Sequence, residues 1–390
     1  MMWKKVKLGD VAVISSGNSA PQGDEFFING IFPFCRTSDV GAVHLSTDLT
    51  EIKDKLNDTG IKGLTLFKKG TILIPKSGAS TFLNHRAILG LDSYVSSHLA
   101  TIQTNENFLF NLWAYYFFVT LDAKMLSPDT NYPTLKLSTI SNIEIPLPAM
   151  EEQKKIAARL DAVSDLLAKQ KQLLSEQDTL IQSTFYDMFG DPIKNEKGWN
   201  SKKLSELGSL KNGINFQKND NESDLYCLGV ADFKDNKYIS DISALQKVPS
   251  KSVNLTEDLL KNGDIVFVRS NGNKALVGRC VAVYPNEEAV TFSGFCIRFR
   301  KSTTLIKTDY LLYFLKTPQV RNVLAGRGAN IQNLNQQILS RVNILCPPLE
   351  LQRKFAAVAE QIESEKSKIK SAIAETQTLF NALMSEYFEE

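Results

Sequence analysis

Arginine, lysine, asparagine and glutamine cluster in short loops along the whole chain. Arginine and lysine suit phosphate groups and guanine, whereas asparagine and glutamine amides suit adenine. The densest cluster, RSNGNK at 269–274, follows an apolar run of strand type. Loop side chains with this chemistry predict a nucleic-acid contact surface, although a solvated turn is the alternative explanation for any one of them. They are Arg36, Lys76, Ser77, Arg86, Asn131 and Tyr132 in the first half, and Lys211, Arg269, Ser270, Asn271, Asn273, Lys274, Arg327, Asn330 and Gln332 in the second.

No catalytic signature accompanies these loops. The sequence lacks a GxxxxGK[ST] phosphate loop and a glycine-rich turn after a strand for a dinucleotide or S-adenosylmethionine. It also lacks the Asn/Asp-Pro-Pro-aromatic tetrapeptide with which amino-methyltransferases hold a base. Five cysteines without a CxxC pair and three histidines leave little for a metal centre or a disulfide framework. We therefore expect no catalytic residue, no metal and no cofactor in this chain.

The composition is that of a globular protein of two or three domains. Its 390 residues are 43% hydrophobic and 23% charged. No apolar run approaches the ~18 residues of a membrane span, and the start MMWKKVKLGD does not read as a signal peptide. We therefore expect a cytoplasmic protein with no membrane contact. The net charge of +2 hides 22 basic and 15 acidic residues in 190–349, a surplus that suits a polyanion or simply a solubilising surface.

The chain contains an internal repeat. Displaced by 199 positions, residues 131–189 align without a gap with residues 330–388, and 16 of the 59 positions are identical. Upstream, WKKVKLGD resembles WNSKKLSEL, and GTILIPKSG resembles GDIVFVRSN. Each half is therefore predicted to be a divergent body followed by a similar tail. The matched pairs include Gln153 with Gln352, Lys76 with Arg269, and Ser77 with Ser270.

Each tail is predicted to be one long helix with a heptad seam. Seam positions recur at alternating spacings of four and three, without internal glycine or proline, after the proline-containing starts IPLPAMEEQ and ILCPPLELQ. Under pseudo-twofold symmetry the helices run antiparallel, cover each other's seams as a coiled coil, and hold the two bodies at opposite ends. The seam positions are Ile156, Leu160, Val163, Leu167, Gln170, Leu174, Gln177 and Ile181, and in the copy Phe355, Ala359, Ile362, Lys366, Ile369, Ile373, Thr376 and Phe380.

A second apolar stripe widens the first helix. It consists of Leu166, Leu173 and Leu180, seven residues apart. We predict that this stripe binds a partner protein; packing against the chain's own body is the alternative.

The bodies are predicted to be compact α+β modules. Short β-rich runs alternate with turn signals, and helical patterns appear at 109–121 and 309–315. The β-rich runs are 64–67, 71–75, 100–103, 265–269, 277–284 and 295–299. The predicted domains are 1–149, a first body; 150–189, a central helix; 190–348, a second body; and 349–390, a C-terminal helix.

Together, the module openings, the two matched strands, the paired helix starts and the stretch MFGDPIKNEKGW resemble the specificity (S) subunit of type I restriction–modification systems. The resemblance implies that the bodies are target-recognition domains, each reading one half of a bipartite, asymmetric site in double-stranded DNA. It implies that the helices set the spacer and dock two modification subunits, which methylate adenine. Restriction (translocase) subunits would complete the complex. S-adenosylmethionine, ATP and Mg are then expected on the partner subunits, and this chain is no enzyme.

Two other functions remain open from the residues alone. One is a self-contained site-specific DNA methyltransferase or endonuclease, which requires a motif that the sequence lacks. The other is a coiled-coil scaffold joining two modules that bind ligands other than DNA. The duplicated helices fit this scaffold equally well, and only the loop chemistry and the resemblance favour DNA.

Overall fold

A computed structural model describes residues 3–43, 48–126, 134–216, 225–234, 236–250, 253–325 and 333–388, apart from the side chains of Lys274 and Ala325. The chain divides into two compact units. The first unit is Met1–Leu174 with Lys368–Glu390, and the second is Ser175–Ser367. Each unit thus contains one body and a part of both long helices, so the units cut across the four predicted domains.

The first body is built on a five-stranded sheet, in the order β2-β10-β7-β8-β4 among the described residues. A second sheet has the order β5-β3-β9-β6, and β1 pairs with β11. The strands are β1 (Lys5–Lys7), β2 (Ala12–Ser16), β3 (Phe32–Cys35), β4 (Asp48–Leu49), β5 (Lys55–Leu56), β6 (Leu66–Phe67), β7 (Ile72–Pro75), β8 (Ala87–Leu89), β9 (Ser93–Val95), β10 (Leu99–Thr104) and β11 (Glu144–Pro146). The helices are α1 (Leu8–Val11), α2 (Thr37–Ala42), α3 (Asn111–Thr120), α4 (Ala123–Leu126) and α5 (Leu137–Ser141).

Helix α3 is the centre of the first core. Its sequence NLWAYYFFVT is apolar nearly all round, as expected of a helix covered on every side. Trp113 is fully buried, and its indole Nε1 donates to the Pro146 carbonyl at 2.9 Å. The second body has a tyrosine in this place: the Tyr310 hydroxyl donates to the Leu345 carbonyl at 3.0 Å.

The second body repeats the sheet order of the first. Its described strands form β13-β20-β17-β18-β15, with a smaller sheet β16-β14-β19 and the pair β12-β21. The repeat therefore extends through the central sheets, where the sequences have diverged. The strands are β12 (Ser201–Lys203), β13 (Gly208–Asn212), β14 (Leu225–Leu228), β15 (Tyr238–Ile239), β16 (Gln246–Val248), β17 (Asp264–Val268), β18 (Cys280–Val283), β19 (Val290–Phe292), β20 (Cys296–Lys301) and β21 (Asn343–Leu345).

The second body and the two tails supply the remaining helices. Those of the body are α7 (Leu204–Leu207), α8 (Thr308–Lys316), α9 (Pro318–Ala325) and α10 (Gln336–Ser340). The tails are α6 (Met150–Phe189) and α11 (Leu349–Phe388), 40 residues each. This confirms the two predicted long helices.

Within each unit, the parts of α6 and α11 run antiparallel, as predicted. In the first unit, Arg159 contacts the Tyr387 hydroxyl, and the Gln170 amide donates to the Thr376 hydroxyl at 3.2 Å. In the second unit, the later residues of α6 meet the earlier residues of α11: the rings of Phe185 and Phe355 are 5.5 Å apart. The two seams therefore cover each other, and the predicted coiled-coil pairing is confirmed.

One seam position of the second unit carries a buried ion network. The Lys366 ammonium, which is 7% exposed as a side chain, contacts Asp178 at 2.5 Å and Glu363 at 3.4 Å. Lys237 of the body contacts the same Glu363 at 2.5 Å. Leu167 stands at the matched position of α6 and is buried among apolar side chains. The network thus distinguishes the two halves and ties the second body to its helix.

A buried glutamine joins each body to its helix. Gln153 is fully buried; its Oε1 accepts from the Phe110 N–H, and its Nε2 donates to the Phe108 and Pro148 carbonyls, all at 2.9 Å. Gln352 makes the same three bonds in the second unit. We call these two residues the glutamine clamps. They explain why the repeat keeps a glutamine at each helix start.

Candidate nucleic-acid interface

In the first body, Lys76 and Ser77 leave the end of β7 beside the turn that leads into β10. The Lys76 N–H donates to the His98 carbonyl at 2.9 Å. The Ser77 hydroxyl lies 2.8 Å from Nδ1 of His98, and Ser77 also forms an isolated antiparallel bridge with Thr134. Three segments that are distant in the sequence therefore meet at one end of the central sheet.

The second body has the same arrangement at the end of β17. The Arg269 N–H donates to the Phe295 carbonyl at 2.7 Å, and Ser270 bridges to Asn333. The Leu334 N–H bonds the Arg269 carbonyl, as the Leu135 N–H bonds that of Lys76, both at 2.8 Å. The matched cation–serine pairs thus occupy equivalent places in the two bodies.

A glycine directly after the edge strand, β2 or β13, approaches each turn from its other side. At Gly17, an added Cβ would lie 2.3 Å from the Ser96 carbonyl oxygen, and at Gly213 it would lie 2.1 Å from that of Ser293. Only glycine permits such an approach of two backbones. The turn is therefore fixed between the edge strand and the end of the central strand in both bodies. We call residues 96–98 and 293–295 the clamped turns.

The last residue of each clamped turn is exposed. His98 is exposed beside Lys76 in the first body, and Phe295 is 58% exposed beside Arg269 in the second. Neither residue is among the contacts predicted from the sequence. The signal was available in the matched strings SSHLA and SGFCI, where histidine and phenylalanine stand at equivalent places before β10 and β20.

The loop after Arg269 is organised by its own amides. The Asn271 side-chain oxygen accepts from the Asn273 N–H at 2.8 Å, and the Asn273 oxygen accepts from the Ala275 N–H at 3.0 Å. Lys274 begins a short 3₁₀ turn, Lys274–Leu276. Both asparagine side-chain oxygens thus accept hydrogen bonds within the loop itself.

Two predicted cations are held in ion pairs. Arg36 bonds Asp54 through its Nε, and its guanidinium lies over the Phe27 and Phe34 rings at 5.6 and 5.4 Å. Lys211, on β13, lies 2.9 Å from Glu257 and 2.8 Å from Asp258. The hydrogen bond to Asp258, followed in size by the one to Glu257, raises the pKa of Lys211. Both remain candidates for DNA contact, but neighbouring carboxylates offset their charge.

Arg86 does not belong to an exposed loop. It is 1% exposed; its Nη1 donates to the His85 carbonyl at 2.8 Å and its Nη2 to the Leu121 carbonyl at 3.3 Å. Burial lowers the pKa of this guanidinium to about 10. A guanidinium enclosed in this way cannot reach DNA, so we correct the expectation of a DNA contact at Arg86.

The other predicted loop residues fall outside the part of the chain that the structure describes. They are Asn131 and Tyr132, which precede Thr134 in the sequence, and Arg327, Asn330 and Gln332, which precede Asn333.

The leucine stripe of α6 is open to solvent. Leu166, Leu173 and Leu180 are 47%, 43% and 48% exposed. Packing against the chain's own body therefore does not account for them. Leu379, which matches Leu180, is 50% exposed on α11.

The described ranges contain no group of three or more histidine, cysteine, aspartate or glutamate side chains suited to a metal ion. None of the helices that can be described combines the length and the apolar character needed to span a membrane.

A family model described as "Type I restriction modification DNA specificity domain" matches this chain twice, at residues 2–176 and 196–376. The type I restriction enzyme StySPI specificity subunit of Salmonella potsdam is 26% identical over 274 residues, which are 66% of this chain and 58% of that protein. The MjaIX specificity subunit of Methanocaldococcus jannaschii is 27% identical over 242 residues, 55% of this chain and 53% of that protein. The matches thus span just over half the length of these relatives.

Solved structures share the fold. The crystal structure of a type I restriction–modification S subunit from M. genitalium superposes with a TM-score of 0.61 at 14% identity, covering 100% of this chain and 96% of the other. A chain from a study of complex assembly and conformational transition in the type I R-M system gives a TM-score of 0.58 at 18% identity, covering 99% and 97%.

Proposed function

Because the chain belongs to the family of type I restriction modification DNA specificity domains, we propose that it is the non-catalytic DNA-recognition subunit of a type I restriction–modification complex. The observation that carries this proposal is the duplicated clamped turn. Each body presents one exposed residue on a fixed turn, next to a cation and a hydroxyl. A fixed turn beside a cation and a hydroxyl suits contact with base edges and phosphates better than it suits a catalytic step.

The two bodies share one fold but expose different residues on their clamped turns, which suits an asymmetric DNA site in two parts. Lys76 with His98 and Arg269 with Phe295 offer different chemistry at equivalent places. Each body then reads one half of the site, and the helices set the number of unread base pairs between the halves. A 40-residue helix is about 60 Å long, so a change in the length of both helices is expected to change that number.

The exposed leucine stripe supports a docking role for the helices. Three leucines at heptad spacing, each more than two-fifths exposed, suit the apolar core of a protein interface. We assign this face to the modification subunits, two per complex, which bring S-adenosylmethionine and methylate adenine. The restriction subunits would bring ATP and Mg to the full complex. The site of action is the cytoplasm, where the DNA lies.

Methylation of random-sequence DNA tests this proposal. The full chain, mixed with a type I modification subunit and labelled S-adenosylmethionine, is expected to direct adenine methylation to one bipartite motif. Neither protein alone should do so. Methyl transfer by the chain alone would favour a self-contained methyltransferase. Failure of the chain to retain any duplex DNA, with or without the modification subunit, would favour the scaffold.

Arg269→Ala and Lys211→Ala form a matched pair within that experiment. Both remove one cation from the second body, but Lys211 is already paired with two carboxylates. Arg269→Ala is expected to relax the motif at one position of one half-site, whereas Lys211→Ala should leave the motif intact.

A further inference from the structure

We propose that the exposed residue of each clamped turn reads a base, and that Phe295 does so through the methyl group of a thymine. This inference rests on the proposed function and deepens it, because it names two specificity-determining residues, His98 and Phe295, and the chemical group that one of them recognises.

Rigidity is the first reason. In the second body, the Gly213 N–H donates to the Cys296 carbonyl at 3.1 Å, and the Gly294 N–H donates to the Ile214 carbonyl at 2.7 Å. From the opposite side, the Arg269 N–H donates to Phe295 itself. The backbone of the turn is thus bonded on both flanks. The backbone of the turn therefore loses little conformational entropy on binding, and the point from which the Phe295 side chain projects is defined relative to the strand end.

Exposure is the second reason. Gly294 and Cys296, the neighbours of Phe295, are buried, yet the phenylalanine ring is 58% exposed. The Phe295 carbonyl accepts from the N–H of Arg269, and the charge of Arg269 suits a phosphate or guanine. An exposed apolar ring on a turn that is bonded to the backbone of such a cation suits the one apolar group in the major groove, the C5-methyl of thymine.

The first body presents different chemistry at the same place. The His98 ring bonds the Ser77 hydroxyl through Nδ1, which leaves Nε2 as its second hydrogen-bonding atom. Among the described residues, no hydrogen bond occupies that nitrogen. Residue 98 therefore reads a hydrogen-bonding base edge, and the two half-sites should differ in their response to loss of a methyl group.

Replacement of thymine by uracil in the selected DNA tests the inference, because it removes only the methyl group. The full chain with the modification subunit first selects its motif from random duplexes, and Arg269→Ala identifies the half-site of the second body. Uracil at one thymine of that half-site should weaken binding roughly four-fold, the effect of exposing one methyl group. In Phe295→Ala, the same substitution should have no effect.

Leu255→Ala is the matched control, because Leu255 is also 58% exposed in the second body but lies on another loop. It should retain the full response to uracil. His98→Ala should relax one position in the half-site of the first body. At that position, replacement of thymine by uracil should not change binding by the wild-type chain.

The outcomes separate the two proposals. A wild-type chain that selects no motif would overturn the proposed function and this inference with it. Two results would overturn the inference while leaving the proposed function intact. One is a bipartite motif that Phe295→Ala leaves unchanged. The other is a half-site of the second body that contains no thymine on either strand.

Discussion

Replacement of a glutamine clamp should detach a body from its helix start. Gln352→Ala removes three buried hydrogen bonds: one from the Lys307 N–H at 2.7 Å, and two to the Leu305 and Pro347 carbonyls at 3.0 and 2.8 Å. At about 1 kcal/mol net for each bond, the variant should lose about 3 kcal/mol of unfolding free energy in the second unit. Gln352→Glu should lose at least as much, because a carboxylate cannot donate to the two carbonyls.

Urea unfolding followed by hydrogen exchange and mass spectrometry measures this loss for each unit separately. With a urea dependence of about 2 kcal/mol per molar, the midpoint of the second unit should fall by about 1.5 M. Gln361→Ala is the control, because Gln361 is an exposed glutamine on the same helix. Gln153→Ala should transfer the effect to the first unit.

Equal urea midpoints for Gln352→Ala and Gln361→Ala would contradict the claim that the glutamine clamp stabilises the second unit. That claim would also be refuted if Gln352→Ala destabilised both units equally, since the three bonds lie within the second unit alone.

Three further predictions follow from the helices. Burial alone would raise the pKa values of Asp178 and Glu363, but hydrogen bonds from Lys366 and Lys237 hold both below the ordinary range. These carboxylates therefore stabilise the fold above their unfolded pKa values of about 4, and this contribution is lost as the pH falls through the lowered folded values. The difference in urea midpoint between Lys366→Met and wild type should thus be largest at pH 7 and smallest near pH 3. A difference that stays constant with pH would contradict a stabilising role of the ion network. Leu173→Asp should abolish co-purification with the modification subunit, while Glu176→Gln, a change on the same helix, should leave it intact. Insertion of three heptads, about 32 Å, at matched places in both helices should lengthen the preferred spacer by about one turn of DNA, and an unchanged spacer in the methylated motif would exclude the helices as its determinant.

The long helices could be predicted from the sequence because their signal is periodic and local. The seam from Ile156 to Ile181 and its copy identify the buried face without knowledge of any neighbour, and their duplication indicates the antiparallel pairing. The apolar runs that became β7 and β17 were equally visible, within one or two residues.

The candidate site was only partly predictable, because it depends on contacts between distant segments. Lys76 and Arg269 were recognised from their matched positions. The roles proposed for His98 and Phe295 rest on backbone bonds to residues 22 and 26 positions earlier in the chain, which no local pattern reveals. For the same reason, the polar character of Arg86 suggested a surface loop, whereas its tertiary environment encloses it.

Each body begins and ends in the same two-stranded ribbon. Val6 faces Ile145 in the pair of β1 and β11, and Lys202 faces Ile344 in the pair of β12 and β21. The chain therefore enters and leaves a body side by side, immediately before the helix start. This geometry would allow a body of different sequence to be inserted at the adjoining ends without displacing the helix that follows. Under the proposed function, replacement of a whole body would change the half-site that is read while leaving the helices in place.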